Sequence, residues 1–171
     1  MRTIEKIVLL LLTILLIMSV NVKATADYFD PYHLFKFRVP VGWIFQVSES
    51  ETDLLVFYGP SQDELLYIEY FKEISDQSSL EFAERVIEHY DSVYGLVDFE
   101  IVQELELKEI DGISVADVVY SYSGTKNRTE HRIFAVLHDY GLTITFSDAH
   151  DHYHEGEVQF ELILDNWTWV R

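Results

Sequence analysis

The chain predicts an α+β domain in which a largely antiparallel β-sheet is flanked by two helices. Three observations carry that expectation. Apolar and polar residues alternate with period two through most of the chain, the mark of half-buried strands. The period lengthens to three and four residues at two places, after Ser78 and after Tyr153, as helices require. The links between successive strands are a few residues long, too short for the crossovers that parallel strands need.

The elements follow in order. Arg2 and Lys6 precede an uncharged, largely apolar run from Ile7 to Val20, and the polar stretch behind it closes on Ala24-Thr25-Ala26. A basic start, a short apolar middle and small residues at the last positions make a secretory signal peptide, with cleavage after Ala26. The run is shorter than the ~18 apolar residues expected of a membrane-spanning helix. Residues 1–26 are therefore expected to be a leader, and residues 27–171 a single exported domain. Phe35 to Val39 alternates apolar and basic as a strand, and Pro40-Val41-Gly42 turns the chain. Trp43, Phe45 and Val47 then face one way and Ile44, Gln46 and Ser48 the other. Leu54–Tyr58 and Leu65–Phe71 are the next two strands, rich in β-branched and aromatic residues.

Ser78-Ser79-Leu80-Glu81 has the spacing of a capping box, in which side chains satisfy the free N–H groups of a helix start. Ala83, Val86, Ile87, Tyr90 and Tyr94 form one apolar stripe, and Gly95 suits a left-handed stop. Alternation returns with Phe99, Ile101, Leu105 and Leu107 opposite Glu100, Glu104, Glu106 and Lys108. Asp111-Gly112 is a hairpin turn, since both residues tolerate positive φ. Ile113–Tyr122 forms the returning strand. A second hairpin joins Arg132–Asp139 to Leu142–Phe146 across Tyr140-Gly141. Phe160, Ile163, Leu164 and Trp167 place a closing helix over residues 153–166.

Composition narrows the function classes. The 171 residues include 12 basic and 30 acidic side chains. The leader carries Arg2, Lys6, Lys23 and Glu5, so the exported part keeps 9 basic and 29 acidic residues, a net charge of −20. Such a surface repels nucleic acid and anionic lipid headgroups and attracts cations. There is no cysteine, hence neither a disulfide nor a cysteine-linked lipid to anchor the chain after cleavage. Asn127 and Asn166 stand in glycosylation sequons, which matter only where the host glycosylates.

The opening "FKFRVPVGWIF" and the closing "HRIFAVLHDYGLTITFSDA…FELILDNW" resemble the PsbP-like and Mog1-like proteins. In those families a strand ends in proline, Gly-Trp opens the next strand, and a late hairpin leads into a helix ending in an aromatic residue. The resemblance spans most of Tyr32–Trp167 in element order. It implies an α/β/α sandwich and an accessory or binding role, and it transfers no catalytic residue.

The chemically dense stretch is Asp148-Ala149-His150-Asp151-His152-Tyr153-His154-Glu155-Gly156-Glu157. Imidazole and carboxylate together suit divalent zinc, copper, nickel or manganese. His150, His152 and His154 share a face if the stretch is extended, and His150 and His154 share one if it is helical. Asp148 or Glu157 would be a further ligand. The same stretch also reads as a solvated loop entering the last helix, with Asp148 or Asp151 as N-cap. His131 and His138 are expected at separate surface positions of one strand. No cysteine nucleophile, G-x-S-x-G or phosphate-cradling loop occurs, and no residue is assigned a catalytic role. Most aromatic residues, including Trp43, Phe45, Phe99 and Phe146, are expected on inward faces. Trp167 and Trp169 are expected either to pack the last helix or to be exposed for contact.

The leading expectation is an exported, non-catalytic accessory domain contacting a protein partner in a periplasmic or extracellular assembly, with no cofactor. The alternatives are a metal-binding protein using His150, His152, His154 and Asp148, and a small-ligand or sugar binder.

Overall fold

In the computed structural model, the described residues are 25–61, 63–72, 74, 77–90 and 95–170. The apolar run of the expected leader lies outside them. A strand β1 (Ala26–Phe29) starts at the expected cleavage site and pairs antiparallel with β2 (Phe35–Val39). The alternation read for β2 holds, with Phe35 and Phe37 buried and Lys36 exposed. The chain then continues through β3 (Ile44–Phe45), β4 (Leu54–Tyr58), β5 (Leu65–Lys72), helix α1 (Ser79–Ile87), β6 (Val97–Ile110), β7 (Ile113–Ser123), β8 (Arg128–Leu137), β9 (Tyr140–Ala149), helix α2 (Tyr153–Asp165) and β10 (Thr168–Trp169).

Two sheets result. Seven strands pair in the order β3-β4-β5-β9-β8-β7-β6, antiparallel throughout, and β1-β2-β10 form a small sheet of their own. The Phe35–Val39 strand thus leaves the main slab for a second one, because β10 and β1 occupy its two edges. The small sheet and α2 cover one face of the large sheet. Phe35, Phe37, Trp167 and Trp169 pack there with Leu55, Phe57, Ile144, Phe146 and Phe160. Both terminal tryptophans are buried: Trp167 stacks against Phe35 and Phe37, and the Trp169 Nε1–H donates to the Ile110 carbonyl at 2.7 Å.

Helix α1 covers the opposite face. Its capping box is complete, with the Glu81 N–H donating to the Ser78 hydroxyl and the Ser78 N–H donating to the Glu81 carboxylate. Phe82, Ala83 and Val86 bury against Ala116, Val118 and Phe134 of β7 and β8. Full burial of one such side chain is worth roughly 1.5–3 kcal/mol. The helix ends at Ile87, before Tyr90, so the expected stripe runs past it; Tyr94 lies outside the described residues. Because α1 is short and packs on β7 and β8, the same face of β3, β4 and β5 has no helix over it among the described residues. No helix among the described residues is long and apolar enough to cross a membrane.

Three local readings change. The strand expected through Ser48 stops at Phe45, because Ser50 donates to the Gln46 carbonyl through both its N–H and its hydroxyl and curls the chain; Val47 is left exposed. The Asp111-Gly112 turn forms as expected, with φ of 45° and 75°. The last hairpin, however, turns at His138-Asp139, where His138 takes φ 53°, and Tyr140-Gly141 opens strand β9. Gly141 serves proximity to the α1 layer. A Cβ there would lie 2.7 Å from Ile74 Cδ1 and 3.0 Å from two Phe82 ring carbons. Gly141→Ala is expected to cost ~1–3 kcal/mol through overpacking. An unfolding midpoint equal to that of the parent chain would show that the α1 layer gives way freely.

Edge strand β6 carries register shifts between Val97 and Glu100, Ile101 and Gln103, and Gln103 and Glu106. Bulges of this kind blunt an edge against further pairing. The predicted faces survive the shifts: Phe99, Ile101 and Leu105 pack on the α1 side. Leu107 shares that face but stays exposed, beyond the reach of the helix.

Candidate functional site

Each face of the large sheet holds a buried polar centre, and neither was assigned a role from the sequence. On the α1 face, cross-strand pairing lines up Tyr67, Thr145, Arg132 and Val118 in one row, and Leu65, Ser147, Glu130 and Tyr120 in the next. Partners directly opposite in a sheet point to the same face. Arg132 is therefore placed among tyrosines, with its guanidinium carbon 5.2 Å from the Tyr67 ring centroid, 5.5 Å from that of Tyr90 and 5.9 Å from that of Tyr120. Its Nη1–H donates to the Tyr90 hydroxyl at 2.7 Å and its Nη2–H to the Tyr67 hydroxyl. Glu130 lies 3.6 Å from Nη2 and Glu69 3.5 Å from Nη1.

Glu130 accepts from three phenols: Tyr67 at 2.9 Å, Tyr120 at 2.5 Å and Tyr122 at 3.0 Å. Arg132 and Glu130 are 7% and 4% exposed, so the pair is stable only because nearly every polar atom has a partner. Burial pushes the Tyr90 hydroxyl up to about 12, and it raises Tyr67 and Tyr120 well beyond the ordinary phenol range. All three are neutral hydrogen-bond donors at physiological pH. Burial opposes the charge on Arg132, but the surrounding phenols and Glu130 outweigh it and hold the guanidinium protonated. Above this network lies a cleft of about 330 Å³, lined by Tyr67, Glu69, Phe71, Leu96, Tyr122 and Arg132 among others.

On the α2 face, Asp117 is fully buried between His131 and Lys108. His131 Nε2 lies 2.8 Å from its Oδ1, and the Lys108 ammonium pairs with its Oδ2. Burial alone would raise the Asp117 carboxyl; the hydrogen bond from His131 and the Lys108 ammonium outweigh it and hold the group below its ordinary range. His131 packs edge-on against Phe160 of α2, and its Nδ1 faces Glu157 and Glu161, each at 3.8 Å. His131 is thus buried rather than a surface position, and His138 sits in a turn, not beside it on a strand. Strand pairing to β7 and β9 puts His131 inside the sandwich.

The His-rich stretch is spread along one end of the sandwich. Asp148 is buried at the end of β9, its Oδ1 accepting from the Ala149 N–H at 2.7 Å. His150 is exposed, with Nδ1 2.9 Å from the Thr129 hydroxyl oxygen. His152 is the N-cap of α2 without a side-chain capping bond, so neither Asp148 nor Asp151 fills that role. His154 is exposed in the first turn, 3.4 Å from Glu157. Among the described residues, no three His, Asp or Glu side chains converge as a cation-holding group, so His150, His152, His154 and Asp148 are not gathered into one set. Asp148 is instead a partly protected carboxyl whose burial, with Glu64 nearby, raises it above its ordinary range.

One signal in the sequence marked the two buried centres. Asp117 interrupts the run Val115–Tyr120, in which both alternating faces are apolar, and a carboxylate buried there has to be paired. Glu130-His131-Arg132 sets three charged or titratable residues directly before the apolar Ile133–Leu137. The partners Tyr67 and Lys108 come from other strands and Tyr90 from the turn after α1, and no spacing rule links them.

Comparison with known proteins bears on the fold. No protein-family model matches the chain, and no curated protein matches it. Solved structures do. The cyanobacterial PsbP protein (CyanoP) of Synechocystis sp. PCC 6803 superposes with a TM-score of 0.66 at 18% identity, covering 88% of this chain and 95% of that one. LpqN of Mycobacterium tuberculosis, involved in cell envelope biogenesis, superposes at 0.61 with 14% identity, covering 90% and 88%. A Pseudomonas aeruginosa protein of unknown function gives 0.59 at 12% identity, covering 82% and 94%. The fold is PsbP-like, as the resemblance in the opening and closing segments implied, and it is an α+β sandwich.

Proposed function

From a PsbP-like fold, we propose that this chain is an exported accessory domain that acts by binding a protein partner outside the cytoplasm. The observation that carries this reading is the open half of the α1 face. Ile44, Tyr58 and Leu65 stand opposite one another on β3, β4 and β5, where no helix among the described residues covers them. Ile44 is 63% exposed and Tyr58 37%. Pro60 and Arg128 border the same surface. A contiguous apolar patch with a polar rim is what a partner surface needs. The leader pattern of residues 1–26 and the envelope role of LpqN support an extracytoplasmic setting. The net charge of the exported part favours a partner with a basic surface.

A photo-cross-linking residue placed at Ile44 tests this in the native envelope. A discrete adduct is expected, and Tyr58→Glu is expected to abolish it. Equal labelling from a control site at Val158 on α2 would sink the reading.

A further inference from the structure

The cleft above the Arg132 network has a definite chemical character. Its floor is already satisfied. Both terminal nitrogens of Arg132 donate to phenols, and the phenols of Tyr67, Tyr120 and Tyr122 donate to Glu130. The Arg132 Nε–H has no partner among the described residues, but it is sealed from solvent beneath the floor. The groups left facing a guest are acceptors. Glu69 lines the cleft with its side chain 33% exposed, its Oε2 accepting from the Thr143 hydroxyl at 2.9 Å and lying 3.5 Å from Arg132 Nη1. The Tyr122 hydroxyl spends its proton on Glu130, which leaves its oxygen lone pairs. The walls are the rings of Tyr67, Phe71 and Tyr122 with the apolar side chain of Leu96. Two carboxylates, Glu69 and Glu130, stand against one guanidinium.

We propose that this cleft binds small organic ammonium ions, with the ammonium N–H on Glu69 and the organic body against Tyr67, Phe71 and Tyr122. A guest must bring donors, because the open groups only accept. It is favoured if cationic, because the lining carries two carboxylates against one guanidinium and aromatic faces attract cations. Anions meet the same carboxylates as repulsion. A volume of about 330 Å³ lies at the lower end of small-molecule sites and suits one ring with a short chain. This site is distinct from the open apolar row at Ile44, and neither proposal depends on the other.

The test uses the full chain and amide NMR with four probes: phenethylammonium, its neutral analogue phenethyl alcohol, hydrocinnamate as the matched anion, and glucose. Phenethylammonium is expected to give saturable shifts at residues 67–71 and 120–122. Phenethyl alcohol is expected to bind about tenfold more weakly, since it lacks the charge that the rings and carboxylate select, and hydrocinnamate and glucose not at all. Glu69→Gln should weaken phenethylammonium about tenfold, whereas Glu100→Gln on the exposed β6 edge should leave phenethylammonium binding unchanged. Four results would each overturn the proposal: no saturable shifts, unchanged binding in the Glu69 variant, an equal loss in the Glu100 variant (an effect of overall acidity), or a response to glucose alone.

Discussion

Arg132→Met is expected to destabilise the domain by about 3 kcal/mol, the lower end of the range for removing one member of a buried ion pair. Arg132 and Glu130 lie on one strand, β8, and point to the α1 face, where both are buried. Methionine fills much of the space but supplies no charge, so the Glu130 carboxylate is left desolvated with only three phenol donors. Those donors keep the loss from being larger. Tyr90 and Tyr67 lose the guanidinium hydrogen bonds at the same time, and the cation–aromatic contacts go with them. Denaturant unfolding measures the effect. Glu130→Gln in the same chain should return part of the loss, because the residual buried charge is then gone. A single variant within ~0.5 kcal/mol of the parent, the range of ordinary surface changes, would mean that the network is energetically idle.

Asp117→Asn should cost about 2–3 kcal/mol near neutral pH, less than a fully buried pair because Lys108 is 38% exposed and can regain water. The pH dependence follows from two shifts of opposite kind. The folded state lowers the Asp117 carboxyl, so its contribution is complete above the unfolded value of ~3.9 and is lost as pH falls through the lower folded value. Asp117 also raises the Lys108 ammonium against the opposing effect of burial. That contribution is complete below the unfolded value of ~10.4 and is lost as pH rises through the higher folded value. The difference between parent and variant is therefore a plateau from about pH 5 to about pH 10 that declines at both ends. A difference that grows as the solution is acidified below pH 4 would contradict the assignment of Asp117 as the stabilised anion.

The placement of these two centres explains how the sheet is held. Asp117 and His131 clamp β7 to β8 under α2, and Arg132 and Glu130 tie β8 to β5 and β7 through tyrosines under α1. Buried polar groups of this kind are satisfied only in one register. A one-residue slip of β8 would exchange its two faces, sending Arg132 and Glu130 toward α2 and His131 toward α1. The polar centres thus specify the pairing of the central strands, while Phe82, Phe134, Phe146 and Phe160 supply the apolar burial.

The elements legible in the chain are those whose determinants are local. Ser78 and Glu81 cap a helix because they stand three residues apart, and Asp111-Gly112 turns because both residues accept positive φ. Leu54–Tyr58 reads as a strand from its composition and its bounding turns, and its limits agree with β4. The signal-peptide expectation for residues 1–26 likewise rests on order and composition alone. What only the tertiary structure decided is which distant residues share a face. The turn at His138 was hidden because Gly141 carries the stronger turn signal, yet Gly141 is needed for the close approach of Ile74 and Phe82. The pairing of β2 with β10, the four phenols around Arg132 and Glu130, and the Lys108–Asp117–His131 cluster all join residues of separate elements. Hydrogen-bond register and layer packing make those neighbours, and neither leaves a periodic trace in the order of residues.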